Sequence, residues 1–303
     1  DPPVHRVEVE QQPPILGRLP HEVRSRFFGI FDDPNDLAQM LATSIPFAFG
    51  FFRRRSLLSV AVGCAVTWLL VKAIVATDSR GGYIALATVS AIMVVLALPA
   101  RWFPFLMLMI LVSALLLCPL AVVYLDPSAQ ERVVFWGMAN RVFKANPVFG
   151  IGYGMFWQVA SDRAAHNAFV SCYTTLGFLG YWFWFGLLQL SVVCAWRTRM
   201  VFNRPQNEEQ AWLKRFSGLC IVATGGYCAS AYFLSRDFVY PIFFLFALLG
   251  ALAVVAQRLL PEGHPPLIGT QKHVLVMGTV GSFVSIIYVY FSIVLLNKAF
   301  YGG

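Results

Sequence analysis

Long apolar stretches separated by short polar breaks run from residue 37 to residue 296. Eight stand out, at about 37–52, 57–76, 82–100, 103–125, 168–196, 216–234, 238–257 and 273–296. A helix that crosses a bilayer needs about 20 mostly apolar residues. Most of the runs meet that length, so the pattern predicts an all-α, polytopic integral membrane protein with about eight transmembrane helices. The first run is short and carries Pro46, which predicts a kinked or tilted helix. The fifth is too long to lie wholly in hydrocarbon. Either its His166 end projects into the interface or it bends near Gly177. Residues 1–35 are polar and proline-rich and form an outer-face tail or loop remnant, ahead of a transmembrane domain over 36–303. Within that domain, 126–167 is the one long outer loop. Glu131 through Lys144 reads as an amphipathic helix with Val133, Val134, Trp136, Gly137, Ala139 and Val142 among its apolar positions. Such a helix can lie on the membrane as a lid.

Composition agrees. The chain is 58% hydrophobic and 13% charged, with mean hydropathy +0.66, whereas soluble domains carry about 25% charged residues. The net charge of +8 would suggest nucleic acid in a soluble protein. Here the basic residues sit in short loops between apolar runs, so topology and anionic membrane lipids account for them, and no nucleic-acid-binding motif is present. Arg53-Arg54-Arg55, the set Arg197, Arg199, Arg204, Lys214 and Arg215, and the pair Arg258 and Lys272 mark cytoplasmic loops under the positive-inside rule. Trp102, Trp196 and Trp212 then fall near the cytoplasmic ends. The opposite loops, with Asp33-Pro34-Asn35, Arg80, Arg132, Arg141, His166 and Arg236, face outward. The six cysteines, Cys64, Cys118, Cys172, Cys194, Cys220 and Cys228, all lie in apolar segments without C-x-x-C spacing. They read as buried small hydrophobes rather than disulfides or metal ligands. The chain begins at Asp1, and we read it as a fragment of a longer polytopic protein.

The outward cluster of cations suits an anion. Arg80 follows a helix end and precedes two glycines, and a guanidinium grips phosphate oxygens through its planar fork. An arginine snorkelling to the headgroups is the plainer reading. Lys72, unusual in an apolar run, either pairs with a diphosphate or snorkels outward. Arg132 and Arg141 stand nine residues apart on the predicted helix. Both could face one anion, although a solvated face explains Arg141 and Lys144 at least as well. The series from Asn146 to Gly154 lacks the preceding strand and lysine of a nucleotide loop. It reads as a tight turn feeding the loop that follows. His166-Asn167 at a helix start offers a candidate general base, and Gly177 and Gly180 below it let a neighbouring helix approach. No His/Glu pair has zinc spacing, so a site without metal or cofactor is the simpler expectation. Asp33-Pro34-Asn35-Asp36 reads as a helix N-cap that also orders the mouth of the site.

At these residues the chain resembles the O-antigen ligase and O-antigen polymerase superfamily of bacterial membrane glycosyltransferases. Asp33 through Ala38 looks like the family's D-P-N-x-L-A segment, and Thr77 through Gly82 like its T-x-S-R-G-G segment. Arg132 and Trp136, followed by Asn146-Pro147 and the glycines, resemble R-x-x-x-W and N-P-L-F-G-x-G. His166-Asn167, nine residues and Gly177-Phe178-Leu179-Gly180 fit the ligase pattern. The resemblance implies a C-type glycosyltransferase-like helical bundle in the bacterial cytoplasmic membrane with its active site toward the periplasm. It implies transfer of a glycan from an undecaprenyl-diphosphate carrier to an acceptor hydroxyl in lipopolysaccharide and cell-envelope biosynthesis. His166 would be the base and Arg80 and Arg132 the catalytic diphosphate ligands. Arg141, Asn167, Lys72 and Asn35 are substrate-binding candidates. The acceptor could be lipid A-core, another lipid-linked repeat or a protein hydroxyl; the His-Asn pattern favours ligase-like transfer. The family has about a dozen helices, and those beyond eight are expected to precede Asp1. Met155 departs from the family by standing where a polar residue is usual. A different class, a membrane transporter, would place ionisable residues midway along several helices, and only Lys72 approaches that position.

Overall fold

A computed structural model describes residues 31, 33–51, 56–98, 127–160, 164–234 and 237–301. The described residues form helices α1 (Pro34–Ala48), α2 (Leu57–Thr77), α3 (Arg80–Ala97), α4 (Pro127–Ala145), the single turn α5 (Phe156–Val159), α6 (Ala168–Val201), α7 (Glu208–Ala231), α8 (Tyr240–Arg258) and α9 (Gln271–Tyr301), with a 3₁₀ turn at Phe49–Phe51 and no strand among them. The all-α, polytopic membrane class read from the sequence is thus present. The expected count of eight spans is not reached among these residues. Five helices, α2, α3, α6, α8 and α9, are long and apolar enough to cross a membrane. The run at 103–125 lies outside the described residues, as do most of the tail, Arg53-Arg54-Arg55, Trp102, Cys118 and Arg236.

The two remaining runs became a different kind of helix. α1 has only 15 residues with Pro46 inside it. α7 opens on Glu208 and Glu209 and carries serines, threonines and glycines further on. These two pack on each other, α1 also on α2 and α3, and α7 also on α3, α6 and α8. A helix wrapped by others need not satisfy lipid, so it can carry polar groups if they find partners. Gln39 of α1 donates from Nε2 to Ser230 Oγ of α7 at 3.0 Å, with both residues fully buried. By contrast α2 is mostly exposed and nearly uniformly apolar, as a lipid-facing helix must be. Cys64 is on that exposed helix, which corrects the expectation that every cysteine is buried; Cys172, Cys194 and Cys220 are.

α4 also departs from the expected lid. Its 19 residues pack against α6 and α9. Val133, Trp136, Ala139 and Asn140 are buried. Asn140 Nδ2 donates to the Tyr290 carbonyl at 3.1 Å and its Oδ1 accepts from the Tyr173 hydroxyl at 2.6 Å. Asn297 Nδ2 donates to the Val133 carbonyl at 3.1 Å. The stretch expected as one long outer loop therefore contains a fixed wall of the bundle.

The bundle has two chemically distinct ends. At one, Arg199 donates to the carbonyls of Leu96 at 3.1 Å and Lys214 at 3.3 Å, and Arg197 to that of Leu267 at 3.0 Å. These bonds gather the end of α3, the start of α7 and the α8–α9 connection around the end of α6. The starts of α1, α3, α6 and α8 lie at the other end.

Candidate functional site

The site end is assembled by short polar motifs. Asp33 caps α1, its Oδ1 accepting from the Asn35 backbone N–H and side-chain Nδ2, both at 2.8 Å. The expected N-cap is therefore in place. Ser79 caps α3 by accepting from Gly82 N–H at 3.0 Å, and its hydroxyl donates to Asn35 Oδ1 at 2.6 Å. Two motifs 44 residues apart in sequence are thus fastened together. Asp78 makes the turn between α2 and α3 with φ 48°. Gly82 lets α3 close on α1, since a Cβ there would lie 2.7 Å from that of Ala38. Arg80 is thereby fixed at the first position of α3, with its side chain exposed.

Arg132 and Trp136 are one turn apart and so share a face of α4. Trp136 is buried and donates from Nε1 to the Ala165 carbonyl at 2.5 Å, with its ring edge-on to Tyr232. The indole straps down the backbone immediately before His166. Arg132 is half-buried within electrostatic range of Arg80 and Asp33. Burial and the nearby Arg80 charge lower its pKa, and Asp33 opposes them. The charges of Arg80 and Asp33 thus both act on Arg132.

His166 is half-exposed and has φ 50°, a left-handed conformation rare outside glycine. Such local strain persists only where surrounding contacts enforce it. The Trp136 strap lies on one side and the Asn167 cap on the other. Asn167 Oδ1 accepts from Phe169 N–H at 3.0 Å and Val170 N–H at 3.2 Å. Its Nδ2 is buried and has no hydrogen-bond partner among the described residues.

The glycine motifs do something other than admit a neighbouring helix. Gly177 has φ 66° and ψ −168°, which breaks α6, the bend that was one of the two expectations for the overlong fifth run. The break frees backbone groups, and the 146–152 segment takes them up. Ile151 and Gly152 N–H donate to the carbonyls of Thr174 at 3.2 Å and Thr175 at 2.8 Å. Phe178 and Leu179 N–H donate to those of Pro147 at 2.8 Å and Val148 at 3.1 Å. A Cβ at Gly177 would fall 2.3 Å from the Val148 carbonyl oxygen, and one at Gly150 2.5 Å from Gly177 N. The Asn-Pro-glycine stretch and the Gly-x-x-Gly stretch are two halves of one joint.

Not every candidate converges. Arg141 is nine residues beyond Arg132, about 14 Å along α4 and half a turn round it. It is exposed on the opposite face, so the two do not face one anion from the same side. Lys72 extends on the exposed side of α2 with its ammonium 5.8 Å from the Trp68 ring centroid. The amide of Asn35 is engaged by Asp33 and Ser79. One residue was missed: Asp237, buried between α7 and α8, whose carbonyl accepts from Trp184 Nε1 at 2.8 Å and whose charge is felt by Cys172 and Tyr227. The only signal in the sequence was an acid interrupting two apolar runs. Among the described residues no three of His, Cys, Asp and Glu are grouped to hold a metal ion.

These features define a polytopic membrane protein with a cationic, histidine-bearing site at one end of its bundle. Residues 65–185 match the family model described as O-Antigen ligase. The matched segment holds Arg80, Arg132, Trp136, His166 and Gly177, though it is less than half of the chain. The resemblance to the O-antigen ligase superfamily thus stands on a match as well as on motifs, and it supports a membrane enzyme of the glycosyltransferase type acting on lipid-linked glycans. No curated protein and no solved structure matches the chain.

Proposed function

We propose that this protein transfers a glycan from an undecaprenyl-diphosphate carrier to an acceptor hydroxyl at the periplasmic face of the bacterial inner membrane, as an O-antigen ligase does. His166 takes the proton from the acceptor hydroxyl; imidazole, whose charge changes near neutral pH, suits that work. The hydroxyl oxygen attacks the anomeric carbon as the bond to the diphosphate breaks, which inverts the configuration. Arg80 and Arg132 stabilise the negative charge growing on the departing diphosphate, a preorganised contribution of about 3–4 kcal/mol for a good donor. Asn167 offers its spare Nδ2–H to a sugar oxygen. Arg141, Lys72 and Asn35 act, if at all, at the margin, through long-range charge or by holding the frame. The reaction needs no metal ion in this scheme.

The observation that carries the reading is the linkage of base and cations through one helix. Arg132 sits a turn from Trp136, Trp136 holds Ala165, and Ala165 precedes His166. The charge of Arg80 reaches the same arginine. A transporter would instead use ionisable groups midway through its spans, and Lys72, the nearest case, points outward. A polymerase or a protein O-glycosyltransferase shares the donor half of this chemistry and differs in the acceptor, with lipid A-core favoured here.

The test is transfer from a labelled lipid-diphosphate glycan in membranes carrying the full chain, with wild type compared with His166→Asn, Arg80→Ala and Arg132→Ala at matched expression. Loss of transfer with intact folding is expected, and the labelled product names the acceptor. Undiminished transfer in all three would refute the assignment, and collapse of wild-type activity in chelator would refute the metal-free scheme.

A further inference from the structure

The segment between α4 and the His166 turn has a surface that the proposed chemistry does not use. From Ala145 to Ala160 it contains no charged residue. Phe156 is buried and Ile151 packs against the core, but the other large side chains are exposed: Phe149 72%, Tyr153 70%, with its ring edge-on to Phe238, and Val148 and Trp157 53% each. Met155 and Val159 join them. A water-facing loop of this size would be expected to carry charge and to expose fewer such groups.

Part of its backbone is met inside the protein. Besides the four bonds to the broken helix, Gly150 N–H donates to Asn146 O at 3.0 Å, Met155 to Gly152 O at 3.2 Å, Gln158 to Met155 O at 3.2 Å and Ala160 to Phe156 O at 2.9 Å. Each of these bonds removes a backbone polar group that hydrocarbon would leave unmet. The level is also right. From Phe178 to Trp196, α6 is a 19-residue apolar run, or about 28 Å of helix, close to the ~30 Å of a bilayer core. The joint at Gly177 therefore lies at the outer margin of that core. Below it the exposed face continues through Leu179, Phe183 and Leu187 of a membrane-spanning helix. Tyrosine and tryptophan are the residues that favour this margin.

We propose that residues 146–159 form a wedge in the outer leaflet of the bilayer, with Val148 and Phe149 among the upper acyl chains and Tyr153 and Trp157 at the headgroup boundary. The partner is membrane lipid. The wedge anchors the joint and, through it, the chain leading to His166. This inference rests on the exposed apolar surface and the helix break and does not depend on the transferase reading.

The test places 4-trifluoromethylphenylalanine at Phe149 in the full chain, reconstituted in phosphatidylcholine vesicles, and follows its fluorine signal. Phe183, exposed on α6, is the lipid reference, and Asn207, in the exposed turn at the other end, is the water reference. Lipid spin-labelled at the fifth acyl carbon should broaden the Phe149 signal severalfold, as it does at Phe183. A water-soluble gadolinium chelate should broaden it far less than at Asn207. Broadening by the chelate as strong as at Asn207 would overturn the wedge in favour of a water-exposed lid. Broadening by neither agent would overturn it in favour of cover by another protein chain.

Discussion

Arginines gather at both ends of this bundle, and they are held in opposite ways. At the end with Arg197 and Arg199, guanidiniums donate to backbone carbonyls, including Leu96 O in the last turn of α3. That is where a helix presents its negative dipole end and its unmet acceptors. At the other end, Arg80 stands at the start of α3, where the dipole disfavours a cation, and its charge falls on the half-buried Arg132. The first arrangement lowers the energy of the fold. In the second, burial and the Arg80 charge lower the pKa of Arg132 and Asp33 raises it, and we propose that this pair of cations receives an anion. The contrast separates arginines that hold helices together from arginines that, in our proposal, are arranged for a ligand.

The strongest way to break this contrast acts on the base beside the cations. His166→Asn keeps a residue that accepts the left-handed backbone. It should lower transfer by about 10²–10⁴-fold with unchanged thermal stability; a parallel loss of both would make His166 a structural residue. Arg80→Ala and Arg132→Ala should each cost about 10²–10³-fold in transfer rate and leave stability equal or higher. Arg199→Ala should do the reverse, lowering the melting temperature in detergent while the folded fraction keeps its rate per molecule. Gly177→Ala should destabilise by on the order of 3 kcal/mol, because a Cβ is driven into the Val148 carbonyl at positive φ. Thermal unfolding in detergent reads this directly.

The smaller effects sharpen the picture. Trp136→Phe preserves the buried ring but strands the Ala165 carbonyl, which should cost about 1–3 kcal/mol. It should also lower the transfer rate more than it raises the donor concentration needed, since His166 would no longer be held in place. Arg141→Ala and Lys72→Ala should each change stability by about 0.5 kcal/mol or less and barely alter transfer. A large loss from Arg141→Ala would mean that the exposed face of α4 also meets the donor.

What was legible in the sequence followed from period and length. The lipid-facing spans α2, α3, α8 and α9 are uniform apolar runs, and their existence could be read directly. α1 and α7 were legible as helices but not as the buried centre, because their polar groups gain meaning only from partners such as Gln39 with Ser230. The motifs mark Arg80, Arg132 and His166 as candidates, and all three fall at one end of the bundle, as the topology read from the loops requires. Three features were out of reach. The Gly177 break and the Asn146–Gly152 segment complete each other's backbone bonds, and no local pattern announces that pairing. Spacing alone sets Arg132 and Arg141 half a turn apart, but which of them turns toward the bundle is fixed only by the burial of Trp136, which puts Arg141 on the exposed side. Asp237 was a single acid beside Arg236 until Trp184 placed it in the interior.

We propose that one end of the bundle is built for a diphosphate and the other is not. The direct measurement is binding of undecaprenyl diphosphate to the purified full chain in detergent at several salt concentrations, with wild type beside Arg80→Ala, Arg132→Ala and Arg199→Ala. The account predicts affinity that falls with salt, is weakened at least tenfold by either of the first two substitutions and is unchanged by the third. Equal affinity in all four proteins, or loss confined to Arg199→Ala, would contradict it.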